Sequence, residues 1–90
     1  MAVSYGAVVV TTSQTIIVGS NNGRKGTIIS NNSSQTIYVG FDSNVTTLNG
    51  TPVPSGGTFN DSGEMDAYRG AVYGVVSSGT ADIRYLEWGE

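Results

Sequence analysis

The stretch Arg24-Lys25-Gly26-Thr27-Ile28-Ile29-Ser30-Asn31-Asn32-Ser33-Ser34-Gln35-Thr36-Ile37-Tyr38-Val39-Gly40-Phe41, continued by Asp42–Gly50, decides the fold class. It holds two short apolar runs rich in β-branched residues, separated by a polar break at Asn31–Ser34. In the second run Ile37, Val39 and Phe41 fall on one face and Thr36, Tyr38 and Gly40 on the other. That period of two is the signature of a strand. Asn49-Gly50 closes the stretch with a tight-hairpin signal. No helical period occurs in it, so the expectation is an all-β fold.

Working outward, strand-length apolar runs recur along the chain. Val3–Thr12 reads as a first strand, with Val8-Val9-Val10 suited to burial on both faces. Gln14–Gly19 reads as a second, with Ile16 and Val18 on one face and Thr15 and Ile17 on the other. Asn21-Asn22-Gly23 offers positions that tolerate φ > 0, as a type I′ turn requires. Ser43–Thr47 reads as a short edge piece. Pro52 and Pro54 flank Val53 and cannot donate to a ladder, so that stretch is an edge strand or a loop. Ser55–Arg69 is the loosest part, with Phe59 pinned inward. Ala71–Ser77 and Thr80–Trp88 are the last two strands, joined at Ser77-Ser78-Gly79, with Ala81, Ile83 and Tyr85 on one face. About seven short strands with turns every 8–12 residues predict a single domain over residues 1–90, a small antiparallel β-sandwich, with a small β-barrel as the alternative. Residues 1–12 are expected as an N-terminal arm or strand that contacts a neighbour.

One internal echo stands out. Ser13–Gly19 reads SQTIIVG and Ser34–Gly40 reads SQTIYVG, agreeing at six of seven positions. A stacked-repeat architecture needs at least three copies, and no third occurs. Two strands written in the same polar–apolar grammar are the better reading.

Composition sets the functional limits. Ser, Thr, Asn and Gly supply 41 of the 90 residues and charged residues only 12%, so the surface is polar but nearly neutral. A domain this short buries only about 60% of its unfolded-state surface, and its core is marginal. With no cysteine there is no disulfide or thiolate metal site, and with no histidine the usual general base is missing. A partner subunit is the remaining source of extra stability. Low charge also eases burial against that partner, because little charge is desolvated.

The net charge of −3, with basic residues only at Arg24, Lys25, Arg69 and Arg84, gives no footprint for nucleic acid. Met1–Tyr5 lacks the basic and apolar regions of a signal peptide. No apolar run reaches the roughly 20 residues of a membrane helix. The expectation is a soluble protein of cytosolic origin, with neither nucleic-acid nor membrane partners.

No catalytic constellation emerges. Ser and Thr are plentiful but lack an activating base. Asp61, Glu64 and Asp66 lack calcium-loop spacing and read as a solvated loop. Gly23-Arg24-Lys25-Gly26 lacks phosphate-loop spacing and reads as a turn entering a strand. The expectation is therefore no enzyme, no cofactor and no metal. The aromatics Tyr5, Tyr38, Tyr68, Tyr73, Tyr85 and Trp88 read mainly as core or interface packing. Candidate partner-binding residues are Tyr5, Val8, Val10, Phe59, Tyr68 and Trp88. Trp88 is expected to dock onto its own sheet or onto a neighbour.

A family likeness rests on Arg24, the run Ile28-Ile29-Ser30-Asn31-Asn32, the run Ile37-Tyr38-Val39-Gly40-Phe41, Val45-Thr46, Asn49-Gly50, Val53, Gly56-Gly57, and Ala71–Arg84. Over roughly residues 14–86 this layout resembles small virion structural proteins of tailed bacteriophages. The resemblance implies a β-sandwich subunit of a particle with no active site to transfer. The implied role is capsid decoration (cement), with the major capsid protein or other virion proteins as partners and homo-oligomers on the particle. Neck, tail or fibre components, or a small carbohydrate-binding module at a fibre tip, are the alternatives. In the sugar version the contacts are exposed aromatics beside Asp42 and Asn44. The implied location is the virion, assembled in the host bacterial cytoplasm.

Overall fold

The computed structural model describes residues 2–61 and 68–89. These form eight strands: β1 (Ala2–Val10), β2 (Thr15–Val18), β3 (Arg24–Asn31), β4 (Ile37–Gly40), β5 (Thr51–Val53), β6 (Thr58–Asp61), β7 (Val72–Val75) and β8 (Ala81–Gly89). They assemble into two antiparallel four-stranded sheets, which pack together as a sandwich and do not close into a barrel. One sheet has the order β1-β8-β3-β6 and the other β2-β7-β4-β5. That pair of orders is a double-sheet jelly roll built from two interleaved Greek keys. We call the sheets A and B.

Of the seven connections between consecutive strands, only β4–β5 joins neighbours in one sheet. Every other connection crosses from one sheet to the other. This explains why no tight hairpin forms at Asn21-Asn22-Gly23, which leads from β2 in one sheet to β3 in the other. Asn21-Asn22-Gly23 does turn the chain, with the Arg24 N–H donating to Asn21 O at 3.1 Å. Yet among the described residues no non-glycine has positive φ, and of the described glycines only Gly56 (76°) and Gly79 (68°) do. A type I′ turn is therefore absent there and at Asn49-Gly50. The β4–β5 connection spans the ten residues 41–50, and Ser43–Thr47 is part of that loop, not an edge strand. The Ser55-Gly56-Gly57 turn closes with Gly57 N–H donating to Pro54 O at 2.8 Å, and its positive φ at Gly56 is the type II requirement. Part of the segment expected to be loose is strand β6. Glu64 and Asp66 of the expected acidic loop lie outside the described residues.

Alternation places the core. Val10, Ile29, Ile37 and Ile83 are fully enclosed between the sheets, with Val18, Val39, Val53, Val72, Val76 and Ala81 around them. Burying a side chain of this size contributes about 2 kcal/mol. Phe59, Tyr68 and Tyr85 pack against the margin of this cluster. Ala81, Ile83 and Tyr85 share the inner face of β8 as the sequence predicts. In β2 the alternation breaks. The register with β7 shifts between Ile16 and Val18, so Ile17 and Val18 are both buried and Ile16 points out. An extra residue of this kind is a β-bulge.

Two polar residues are buried as ties. The Arg24 guanidinium donates from Nη1 to the carbonyls of Tyr68 (3.0 Å) and Gly70 (2.8 Å), and from Nη2 to Gly19 O. Its Nε meets Glu87 Oε1 at 3.2 Å. It joins the start of β3 to β8, to the chain after β2 and to the approach to β7. Asn31 does the same at the other end of β3. Its Nδ2 donates to Gln35 O (2.6 Å) and Val53 O (2.9 Å), and its Oδ1 accepts from Ser33 Oγ (2.6 Å). A buried charge or amide is tolerated only with such partners.

Candidate interaction surface

The two sheets differ on their outer faces. Sheet B is covered. The 41–50 loop folds back over it and buries Val45, which sits on Gly40 and beside Gly50. A Cβ on Gly40 would lie 2.7 Å from Val45 Cβ, so the glycine makes the seat. Gln14 Nε2 holds the loop from the edge of the sheet by donating to Val45 O at 2.8 Å. Within the loop Asn49 Oδ1 accepts from the Thr46 N–H, and Asp42 Oδ1 from the Asn44 N–H.

Sheet A has no such cover among the described residues. Strand pairing puts Val3 opposite Trp88, Tyr5 opposite Leu86, Ala7 opposite Arg84 and Val9 opposite Asp82 on its outer face. On the next strand, Ile28 lies opposite Leu86. Val3, Tyr5 and Val9 are 59%, 79% and 60% exposed, and Leu86 is exposed beside them. The result is an apolar strip along β1 with one polar island. In that island Arg84 Nη2 meets Asp82 Oδ2 at 2.9 Å, and Asn32 Nδ2 donates to the same oxygen at 2.9 Å. The hydrogen bond from Arg84, then that from Asn32, holds the Asp82 carboxyl below the usual carboxylate range. Asp82 in turn raises Arg84. Exposed apolar area that is contiguous and rimmed by polar groups marks an interaction surface more often than scattered exposed residues do.

The six expected partner-binding residues part company here. Tyr5 stands free on the strip. Val8 is half-buried, and Val10 is wholly enclosed in the core, so Val10 has nothing to offer a partner. The same alternation that exposes Val9 sends Val10 inward. Phe59 packs against the core and meets Phe41 edge-on, with ring centres 6.3 Å apart. Tyr68 stacks on Phe41 at 3.9 Å and its hydroxyl donates to Phe41 O at 2.8 Å. Trp88 docks on its own sheet. Its indole lies directly over Gly26, where any side chain would overlap the ring. Val3 and Val9 lie within the segment 1–12 expected to contact a neighbour but were not singled out there, and Leu86 was not among the expected residues. Their signal was the alternation itself, which reads as a two-sided strand only when the sheet it joins is known.

A second feature flanks the covered sheet. A depression of about 300 Å³ is lined by Gly40, Asp42, Asn44, Val45 and Asn49, with exposed Phe41 adjoining and Leu48 at the loop tip almost fully exposed. Among the described residues no group of three or more His, Cys, Asp or Glu side chains is placed to hold a metal ion. No helix of those residues is long and apolar enough to cross a membrane.

Comparison with family models, curated proteins and solved structures gives no match to this chain. The surface must speak through its own chemistry.

Proposed function

We propose that this protein is a non-enzymatic structural subunit of a virion, a capsid decoration protein that binds the major capsid protein lattice and stabilises the particle. The observation that carries this reading is the apolar strip of sheet A, which no described residue covers, whereas the 41–50 loop lies over part of the outer face of sheet B. Covering Val3, Tyr5 and Val9 against another subunit removes apolar surface from water at about 25 cal/mol per Å². Many such contacts on a repeating lattice add avidity that a single weak contact lacks. The jelly-roll order is one that capsid domains use, although a fold alone does not assign function. The sequence likeness to phage virion proteins points the same way.

The test is binding of the purified protein to capsids. Saturation in proportion to capsid subunits, with a higher particle melting temperature, is the expected result. A protein that leaves capsid heat stability unchanged and sediments apart from capsids would refute the reading. Copy number per particle by quantitative mass spectrometry separates shell from tail: a lattice-matching number means decoration, and a few copies mean neck, tail or fibre.

A second reading, a small carbohydrate-binding module at a fibre tip, draws on the depression lined by Asp42, Asn44 and Asn49 and on the exposed Phe41 that precedes Asp42, one ring face of which is already taken by Tyr68. Sugar recognition combines an aromatic face with carboxylate and amide groups, and Asp42, Asn44 and Asn49 supply the latter. A glycan array on which F41A binds as the parent does, or on which neither binds, would remove it.

A further inference from the structure

We propose that β1 is a self-pairing edge, through which two copies of the chain join antiparallel about a two-fold axis at Gly6 into one eight-stranded sheet.

A sandwich of two open sheets has four edge strands, and an unprotected edge is a template for another strand. Three of the four are blunted here. β5 carries Pro52 and is followed by Pro54. β6 is four residues long and ends in Asp61. β2 is four residues long and broken by its register shift. β1 has none of these protections. It runs nine residues in unbroken register with β8, from Ala2 opposite Gly89 to Val10 opposite Ala81. It contains no proline and no charged residue.

The occupant is a second copy for three reasons. The first is charge. No Asp, Glu, Lys or Arg occurs before Arg24. β1 and β2 form the same side of the sandwich and touch each other, so both edge strands on that side are free of charged groups. An identical side meets no like charge and loses no ionic hydration. The second is register. Side chains directly opposite in an antiparallel pair lie on one face, and centring on Gly6 pairs all nine residues. Val3 then faces Val9 and Tyr5 faces Ala7, and each occurs twice by symmetry. The exposed side chains of the strip become cross-strand neighbours. The third is size. A nine-residue seam is ~30 Å long, against a longest molecular dimension of 36 Å and a thickness of 16 Å. A seam of that length and thickness covers roughly 500 Å² per copy and about 1,000 Å² in all, near the size at which specific interfaces begin. Two-fold closure also ends growth, because it consumes the edge on both copies.

This inference does not depend on where the protein works, and its test needs no capsid. Light scattering on the purified full chain should give twice the 9.3 kDa chain mass and fall to one chain mass on dilution. The double variant V3K/V9K places lysine against lysine at the seam and should raise the dimer dissociation constant at least tenfold. V3E/V9E should do the same. Mixed in equal amounts, the two should form a heterodimer, because each lysine then faces a glutamate. Both positions are surface-exposed, and circular dichroism checks that the variants fold. Hydrogen exchange of the unmodified protein gives an independent reading: β1 amides should slow as concentration rises. A monomer at every concentration, a dimer that the lysine pair leaves intact, variants that fail to recombine, or β1 exchange that ignores concentration would each overturn the proposal. Pairing of β1 with a strand of a capsid protein, in a chain that is itself monomeric, would also overturn it.

Discussion

The segments SQTIIVG (Ser13–Gly19) and SQTIYVG (Ser34–Gly40) are nearly the same text with opposite structural meaning. Both supply a strand of sheet B, and both strands lie antiparallel against β7, one on each side. Yet the matched isoleucines part: Ile37 is 0% exposed and Ile16 is 50% exposed. The cause is register. Opposite Gly74 of β7 stand Thr15 on one side and Val39 on the other. The residue that matches Thr15 in the second copy is Thr36, three positions before Val39. An odd displacement exchanges the faces of a strand with period two. The bulge after Ile16 then returns Ile17 and Val18 to the core together. Local sequence thus proposes a strand, and the neighbour it pairs with selects the inward face.

Four expected outcomes sharpen this contrast, and the first is the largest. Ile37→Ala should cost about 3 kcal/mol, as large-to-small changes in a closed core do. Ile16→Ala, the same change in the matched residue, should cost about 0.5 kcal/mol or less. Urea unfolding of both variants measures the pair, and equal costs would mean the register described for β2 is wrong.

The terminal glycines of the two copies come next. Gly40→Ala forces a methyl into Val45, and overpacking of this kind costs about 1–2 kcal/mol. It should also speed hydrogen exchange across the 41–50 loop. A Cβ on Gly19 meets nothing within 4 Å, so Gly19→Ala should leave both stability and exchange unchanged.

The glutamines should behave alike, because their side chains do matched work from the two copies. Gln14 Nε2 donates to Val45 O and Gln35 Nε2 to Thr80 O, each at 2.8 Å. Each alanine variant should lose about 1 kcal/mol, the net worth of one hydrogen bond. Only Gln14→Ala should also loosen the loop over sheet B, which exchange at Val45 would detect.

The smallest effect concerns the open face of sheet A. The carboxyl of Asp82 titrates below its ordinary range because Arg84 and Asn32 bind its charged form. Its contribution to stability is therefore complete above the ordinary value and is lost as pH falls through the lowered one. Asp82→Asn removes that contribution, so it should lower stability slightly near neutrality, leave it unchanged at pH below the lowered value, and flatten the acid limb of a stability–pH curve in between. The pair is solvent-exposed, so added salt should shrink the difference.

Legibility followed the range of the interactions. β4 was readable because alternation and position agree there. β8 was readable as far as its inward triplet Ala81, Ile83 and Tyr85. The edge character of β5 followed from Pro52, whose missing N–H is a local property. β6 was hidden because Thr58–Asp61 carries one large apolar residue, Phe59, and gains its ladder only from β3. The role of Arg24 was hidden for the same reason. Its partners lie at Gly19, Tyr68, Gly70 and Glu87, and no spacing rule links those positions. Tyr5 was read as a partner-binding candidate, and it stands exposed on the strip. Val10 was misjudged because a three-valine run does not announce which members point in.

What the chain determined alone is its class and its materials: strands rather than helices, turns where Gly, Asn and Pro permit them, and a surface with little charge. These depend on backbone sterics and on side-chain period, which act within a few residues. What only the tertiary structure decided is pairing: β1 with β8 across nearly the whole chain, the bulge in β2, the loop laid over one sheet and the strip on the other that no described residue covers. Those outcomes arise when distant segments compete for the same partners, and a strand's two faces stay equivalent until a neighbour sets its register.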